Sequence, residues 1–279
     1  MPELPEVETI KEALKKSILH AQINEISVRN RSFRDTIPNN FEDIVVNTTI
    51  INIWRLAKYA ILDLSNGYSI IWHFGMSGRV KILEDKNFNI EKHDHVIFNT
   101  SKGIIAYNDT RRFGLITLTK TNEIFNHNLF KNIGLDPFDK LLKKEYLQEK
   151  LKNKKTPIKI ALLDQSIING IGNIYASEAL YSARISPFRE SSSLSLSELD
   201  RLIKSIIETL NKAIKAGGST LRDYKKPDGG IGYFQNQHCV YNKTGKRCPD
   251  CTCNLDKTGG IAKATQGGRS TFYCKTLQK

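Results

Sequence analysis

Two hydrophobic rhythms run along this chain, and the rhythm changes near residue 132. At the start, Leu4, Val7, Ile10, Leu14 and Ile18 recur at three- and four-residue intervals, the apolar stripe of an amphipathic helix, so residues 3–20 are predicted helical. Pro2 and Pro5 suit a first helical turn, and the acidic residues beside them suit the helix dipole. Short β-rich runs follow at 23–29, 49–56, 59–64, 68–74, 96–99, 104–107 and 115–118, with Ser65-Asn66-Gly67 as a hairpin turn between two of them. Such a series predicts a β-sandwich or flattened barrel. Gly134-Leu135-Asp136-Pro137 then breaks the chain, and helices take over. Ser195-Leu196-Ser197-Glu198 is a capping box. It opens a helix whose apolar face is Leu199, Leu202, Ile203, Ile206, Leu210, Ala213 and Ile214, and Gly217-Gly218 ends it. The class read from this pattern is α+β, β-rich first and helical second, with a glycine-rich loop at 226–232 leading to a cysteine-rich tail.

Composition narrows the partners. A chain of 279 residues can hold two domains with real cores. Its formal net charge of +13 points to a polyanion, nucleic acid before an anionic membrane. No apolar run approaches the roughly 20 residues that cross a bilayer, and no signal peptide is recognisable, so a cytoplasmic protein is expected. Five cysteines in such a chain argue against a disulfide framework. Four of them lie at residue 248 or beyond, which suggests metal.

The chemistry begins at Met1-Pro2-Glu3-Leu4-Pro5-Glu6-Val7-Glu8. Removal of Met1, which the small Pro2 permits, leaves a secondary amine. An α-amino group titrates at about 7.7–8.0, so part of it is neutral and nucleophilic near pH 7. Attack on a carbonyl carbon gives a Schiff base. With proline the product is an iminium that has no N–H to lose and therefore stays cationic. Glu3 stands beside it to move protons. On residue types alone the two prolines equally start a helix. The full string decides for chemistry, because it resembles the N-terminus of the formamidopyrimidine-DNA glycosylases, base-excision repair enzymes with an N-terminal proline nucleophile.

The resemblance extends over the whole chain. Lys58, in Arg55-Leu56-Ala57-Lys58-Tyr59, matches a lysine of acid–base catalysis. Met76, in His73-Phe74-Gly75-Met76-Ser77-Gly78, and Arg111 and Phe113, in Asp109-Thr110-Arg111-Arg112-Phe113-Gly114, match the three residues that fill the space left by a flipped base. His93 matches a DNA contact. Residues 165–180 resemble the family's helix–two-turn–helix, in which Asn173 binds DNA phosphate and Lys154 and Lys155 add a second contact. Thr220 and Tyr224 fall in the loop that closes over the damaged base. Arg269, in Gly267-Gly268-Arg269-Ser270-Thr271, matches the hairpin arginine that serves in phosphate binding and acid–base catalysis.

The resemblance implies segments at 1–132 (catalytic β-sandwich), 133–236 (helix–two-turn–helix) and 237–279 (zinc-finger-type β-hairpin). It implies a monomeric glycosylase and abasic-site lyase that removes oxidised purines from duplex DNA. Leu4 and the intact Arg-Arg-Phe-Gly favour this branch over the endonuclease VIII branch, whose substrates are oxidised pyrimidines. A binding protein without catalysis would keep the charge and the wedge but not Pro2, Glu3 and Lys58. The tail departs from the family. Cys248, Cys251 and Cys274 are present, but Leu277 stands where the fourth zinc ligand belongs. The stretch between Cys251 and Cys274 also exceeds the roughly 15–20 residues of a zinc ribbon. Cys253 is the alternative ligand, and a hairpin without metal remains open.

Overall fold

The computed structural model describes residues 1–83, 89–220, 226–227, 229–252 and 254–279. They form two compact units. The first comprises Met1–Lys131 with Ile214–Gln235, and the second Asn132–Ala213 with Asn236–Lys279. The units therefore differ from the three consecutive segments expected from the sequence. The reason lies in two polar ties. The Ser219 N–H donates to the Glu6 carboxylate, and the Ile82 N–H to the Pro227 carbonyl, which fasten the segment after residue 213 to the first unit.

In the first unit, α1 (Leu4–Ile18) precedes β1 (Ile23–Val28), α2 (Phe41–Val45), β2 (Ile50–Leu56), β3 (Tyr59–Leu64), β4 (Tyr68–His73), β5 (Arg79–Leu83), β6 (Asp94–Thr100), β7 (Gly103–Asn108) and β8 (Leu115–Lys120). The strands make two four-stranded sheets, ordered β1-β6-β7-β5 and β2-β3-β4-β8, with every pairing antiparallel. Their facing side chains share one core with the apolar stripe of α1: Val7, Ile10, Leu14 and Ile18 meet Ile53, Leu62, Trp72, Phe98 and Tyr107. This is the expected sandwich. The interior strands β3 and β4 are buried from Ala60 to Leu64 and from Ser69 to His73, so their sequence reads as continuous apolar runs rather than alternation. The strand β5 and the short α2 were absent from the sequence expectation; both are only five residues long, too short for a period to register.

The second unit holds α3 (Lys144–Leu151), α4 (Ile158–Leu163), α5 (Asn173–Ser182), α6 (Leu196–Lys215, through Ala213), α7 (Leu255–Thr258) and the hairpin β9 (Ala262–Gln266) and β10 (Arg269–Tyr273). The capping box that opens α6 forms as read, with the Ser195 N–H on Glu198 Oε2 at 2.9 Å and the Glu198 N–H on Ser195 Oγ at 3.3 Å. Every residue of α5 from Ile174 to Tyr181 is buried, Glu178 included. The Glu178 carboxylate accepts the N–H groups of Cys239, Val240 and Tyr241 at 2.7–3.0 Å and so anchors the start of the tail.

Candidate active site and metal centre

The N-terminus is fixed by its own helix. Glu3 is the N-cap of α1, and its N–H donates to Glu6 Oε2 at 2.8 Å. The other oxygen of Glu6 accepts the Ser219 N–H at 2.7 Å, so one buried carboxylate joins the N-terminus to the start of the 219–235 loop. A side chain at Gly218 would begin 2.8 Å from that oxygen, which explains the glycine. Pro2 and Glu3 are buried while Met1 is exposed. Lys58 sits in the two-residue turn between β2 and β3, where Ala57 takes a left-handed φ of 53°. Arg55 braces that turn: it donates to the Ala57 carbonyl at 3.1 Å and to Glu8 of α1 at 2.8 Å. Lys58 is consequently only 7% exposed. His73 reports the charge gathered here. Burial first, then the positive charges of Arg34, Lys58 and the N-terminus, press its pKa down from 6.5 to about 4. The positive charges of Arg34, Lys58 and the N-terminus thus converge on one buried imidazole.

Met76, Arg111 and Phe113 lie on two turns that interlock. Gly75 is at φ +60°, and a Cβ there would sit 2.4 Å from the Gly114 nitrogen and the Phe113 carbonyl carbon. Asp109, fully buried, ties the turns together. Its Oδ1 accepts the Ser77 hydroxyl at 2.6 Å and the Arg111 N–H at 3.3 Å; its Oδ2 accepts the Gly114 N–H at 2.8 Å and the Tyr107 hydroxyl at 3.2 Å. The tips project outward: Met76 is 41% and Phe113 48% exposed, and the Arg111 guanidinium lies 4.6 Å over the Phe113 ring. An exposed Met, Phe and stacked Arg on rigid turns is the form of a wedge rather than of a core. The half-buried His93 offers its carbonyl to the Asp109 N–H and its ring to His95, 5.9 Å between centroids; among the described residues it joins no metal cluster.

Thr220 closes the stem of the loop. Its N–H donates to Gln235 Oε1 at 2.9 Å, and its hydroxyl accepts the Gly232 N–H at 2.8 Å. Tyr224 lies outside the described residues, as does Cys253.

In the second unit, Asn173 starts α5 after Gly172. Its Nδ2 donates to the Ser270 carbonyl at 2.9 Å, while its buried Oδ1 has no partner. Lys155 is exposed, and Lys154 pairs loosely with Asp164 at 3.5 Å. Arg269 is exposed just after the turn Gly267-Gly268, both at positive φ (54° and 70°), the turn that a two-residue hairpin needs. Beneath it the fully buried Lys159 donates to the Ser270 carbonyl at 3.1 Å and the Thr271 hydroxyl at 2.8 Å. Asn173 and Arg269 are thus set by one hairpin. Sequence reading missed Glu6, Asp109, Lys159 and Glu178. Lys159 and Glu178 each stand as a charged residue inside an apolar string, which was the available signal, whereas Glu6 and Asp109 lie among other polar residues and carried none.

The sulfurs of Cys248, Cys251 and Cys274 lie within 4.8 Å of one another, all three residues buried. Cys248 and Cys274 approach to 3.4 Å. Burial, then the hydrogen bond to Cys274, pushes the Cys248 thiol up to about 12. Burial acts the same way on Cys274, but N–H groups of Leu277 and Thr276 and the bond from Cys248 more than offset it and hold that thiol below its usual value. The corner can therefore hold a metal ion through three sulfurs. Leu277 packs against it, and among the described residues no fourth His, Cys, Asp or Glu joins the three. His238 stacks edge-on with Tyr241, and the Cys239 N–H goes to Glu178; among the described residues neither side chain joins the three sulfurs.

Comparison with known proteins agrees with this layout. The family model of the formamidopyrimidine-DNA glycosylase N-terminal domain matches residues 1–116, and that of the formamidopyrimidine-DNA glycosylase H2TH domain matches 133–225. The formamidopyrimidine-DNA glycosylase of Rickettsia massiliae is 44% identical over 279 residues, covering 100% of this chain and 97% of that protein. Lactococcus lactis Fpg, solved in complex with DNA containing an abasic site, superposes with a TM-score of 0.89 at 33% identity over 99% of both chains. A mutant of the same protein, in complex with Fapy-dG containing DNA, gives a TM-score of 0.89 at 34% identity over 100% of both chains.

Proposed function

Because the chain belongs to the formamidopyrimidine-DNA glycosylase family, we propose that it excises oxidised purines, 8-oxoguanine and ring-opened formamidopyrimidines, from duplex DNA and then cuts the strand at the abasic site. The observation that carries this reading is the burial of Pro2 and Glu3 at the start of the chain, with Glu3 capping its helix and the charges of Lys58 and the N-terminus converging on His73. Once Met1 is removed, the Pro2 nitrogen attacks C1′ of the sugar. Glu3 protonates the ring oxygen, the ring opens, and the base leaves. The iminium acidifies the C2′ proton. β-Elimination breaks the 3′ side and δ-elimination the 5′ side, with Lys58 and Arg269 moving protons. Met76, Arg111 and Phe113 occupy the vacated stack. Asn173, Lys154, Lys155, His93 and Arg269 hold phosphates, and Thr220 and Tyr224 serve the loop over the base. Functionally, 1–132 carries the chemistry, 133–236 the phosphate grip and 237–279 the Arg269 hairpin, in a cytoplasmic monomer.

The metal of the hairpin is read as one structural zinc on Cys248, Cys251 and Cys274; it cross-links the base of the hairpin and takes no part in the reaction. The supporting feature is the convergence of three buried sulfurs. Strand-cleavage assays test the function. A duplex with 8-oxoguanine is cut and one with an oxidised pyrimidine is cut more slowly; the reverse order points to endonuclease VIII-type activity, and no cleavage of either to a binding protein. Binding rests on about 4–8 phosphate contacts and so falls by orders of magnitude between about 50 and 200 mM salt.

A further inference from the structure

The cysteine corner gathers three sulfurs, and Leu277 packs against it. Beyond Cys274 the chain folds back on its own sulfur, with the N–H groups of Thr276 and Leu277 aimed at it. The Gln278 N–H donates to the Cys274 carbonyl at 3.1 Å, and the Cys274 N–H to Gln278 Oε1 at 2.7 Å, which lock the turn. Cys248-Pro249-Asp250-Cys251 makes the facing turn, with the Cys251 N–H on the Cys248 carbonyl at 3.5 Å. In a four-cysteine centre each such turn carries sulfur at both ends. Here the second turn ends in Leu277, packed against the apolar cluster formed by Val240, Ile261 and Phe272 with the three cysteines. The Tyr181 hydroxyl is engaged with Asp250, donating to Oδ2 at 3.1 Å and accepting the N–H at 3.2 Å, and also meets the Cys248 sulfur.

Three thiolates leave a tetrahedral divalent ion one ligand short. We propose that this position is filled from outside the chain by the thiolate of a small-molecule thiol, which makes the hairpin of this protein a thiol-dependent metal centre. The inference rests on the reading that Cys248, Cys251 and Cys274 hold the metal. A soft sulfur donor matches the other three ligands. Its hydrocarbon part suits a corner against which Leu277 packs. Arg247 and Lys275, exposed and adjacent in sequence to Cys248 and Cys274, offset the negative charge of four thiolates on one divalent ion. As the metal–sulfur bond forms, the thiol gives its proton to solvent and the previous occupant departs; no electrons are exchanged.

The test uses the full chain, freed of zinc and reloaded with Co(II) without oxygen, because the visible bands of Co(II) distinguish three thiolates from four. Adding 2-mercaptoethanol should shift the wild-type spectrum from the three-thiolate to the four-thiolate form and slow the loss of metal to a chelator. Leu277→Cys should show the four-thiolate form unaided and ignore added thiol. If Leu277→Cys does not fold, the wild-type titration alone decides. Bound Co(II) whose spectrum does not respond to thiol overturns the proposal while leaving the three-cysteine site standing. A four-thiolate spectrum without added thiol that Cys253→Ser removes also overturns it, with Cys253 as the missing ligand. Failure to bind Co(II) at all overturns both readings.

Discussion

Two corners of this chain hold a functional loop by gathering groups around one buried point, and they differ in what occupies that point. In the first unit it is the carboxylate of Asp109, which takes four hydrogen bonds and fixes the turns of Met76, Arg111 and Phe113. In the second it is the space between the sulfurs of Cys248, Cys251 and Cys274. The first corner is complete in itself: every donor around Asp109 comes from the polypeptide. The second gathers three sulfurs that could hold a cation from outside. The Arg269 hairpin is not left to that cation alone, since Lys159 reaches the same strand with its own charge. A loop organised by a side chain persists as long as the fold does, whereas one organised by a metal follows the supply of metal.

Breaking the first corner should have the larger effect. Asp109→Ala strands several buried donors, each costing about 1–3 kcal/mol, so the variant should lose about 3–5 kcal/mol in denaturant melts and most of its excision activity. Unchanged stability would remove Asp109 from its organising role.

Acid weakens the same unit. His73, whose Nδ1 accepts the Gly75 N–H, has a folded pKa of about 4 against 6.5 in the unfolded chain. Unfolding therefore takes up a proton between those values. The stability linked to His73 is whole above pH 6.5 and is lost as pH falls toward 4, up to about 3 kcal/mol. His73→Gln should flatten that part of the pH–stability curve, and an unchanged curve would assign it elsewhere.

Withdrawing metal should act on the second unit alone. Chelation should lower its melting transition by a few degrees and leave that of the first unit in place. Most of the hairpin should survive, and Arg269→Ala should abolish productive lesion binding with or without metal. A collapse of the hairpin on chelation would show that Lys159 does not sustain it.

The smallest change in stability belongs to the wedge. Arg111→Ala and Phe113→Ala remove an exposed contact of about 0.5–1 kcal/mol, so melts should barely move. Lesion excision should fall more than non-specific DNA binding; equal losses would say that the pair does not enter the stack.

The two corners also differ in how far they could be read beforehand. The strands β3 and β4 and the helix α6 were legible because their apolar patterns and end signals are local. The residues proposed as wedge and nucleophile could be picked out as strings, because each lies within a few consecutive residues, at 75–78, 109–114 and 2–3. The partners of Asp109 come from residues 77, 107, 111 and 114, and those of Glu6 from residues 3 and 219. A buried carboxylate whose donors are spread along the chain leaves no periodic trace. For the same reason the sequence did not assign residues 214–235 to the first unit: Glu6 and Ile82 draw them there through single bonds.

Covalent trapping reports on Pro2 as the nucleophile. With a duplex carrying 8-oxoguanine and borohydride present, the iminium should be reduced to a stable protein–DNA adduct. Peptide mapping should place it on Pro2 of a chain that has lost Met1. Glu3→Gln should give no adduct from 8-oxoguanine yet still trap on a pre-formed abasic site, where the base is already gone. Excision that proceeds with no trapped species, or an adduct found only on a lysine such as Lys58, would rule out Pro2 as the nucleophile.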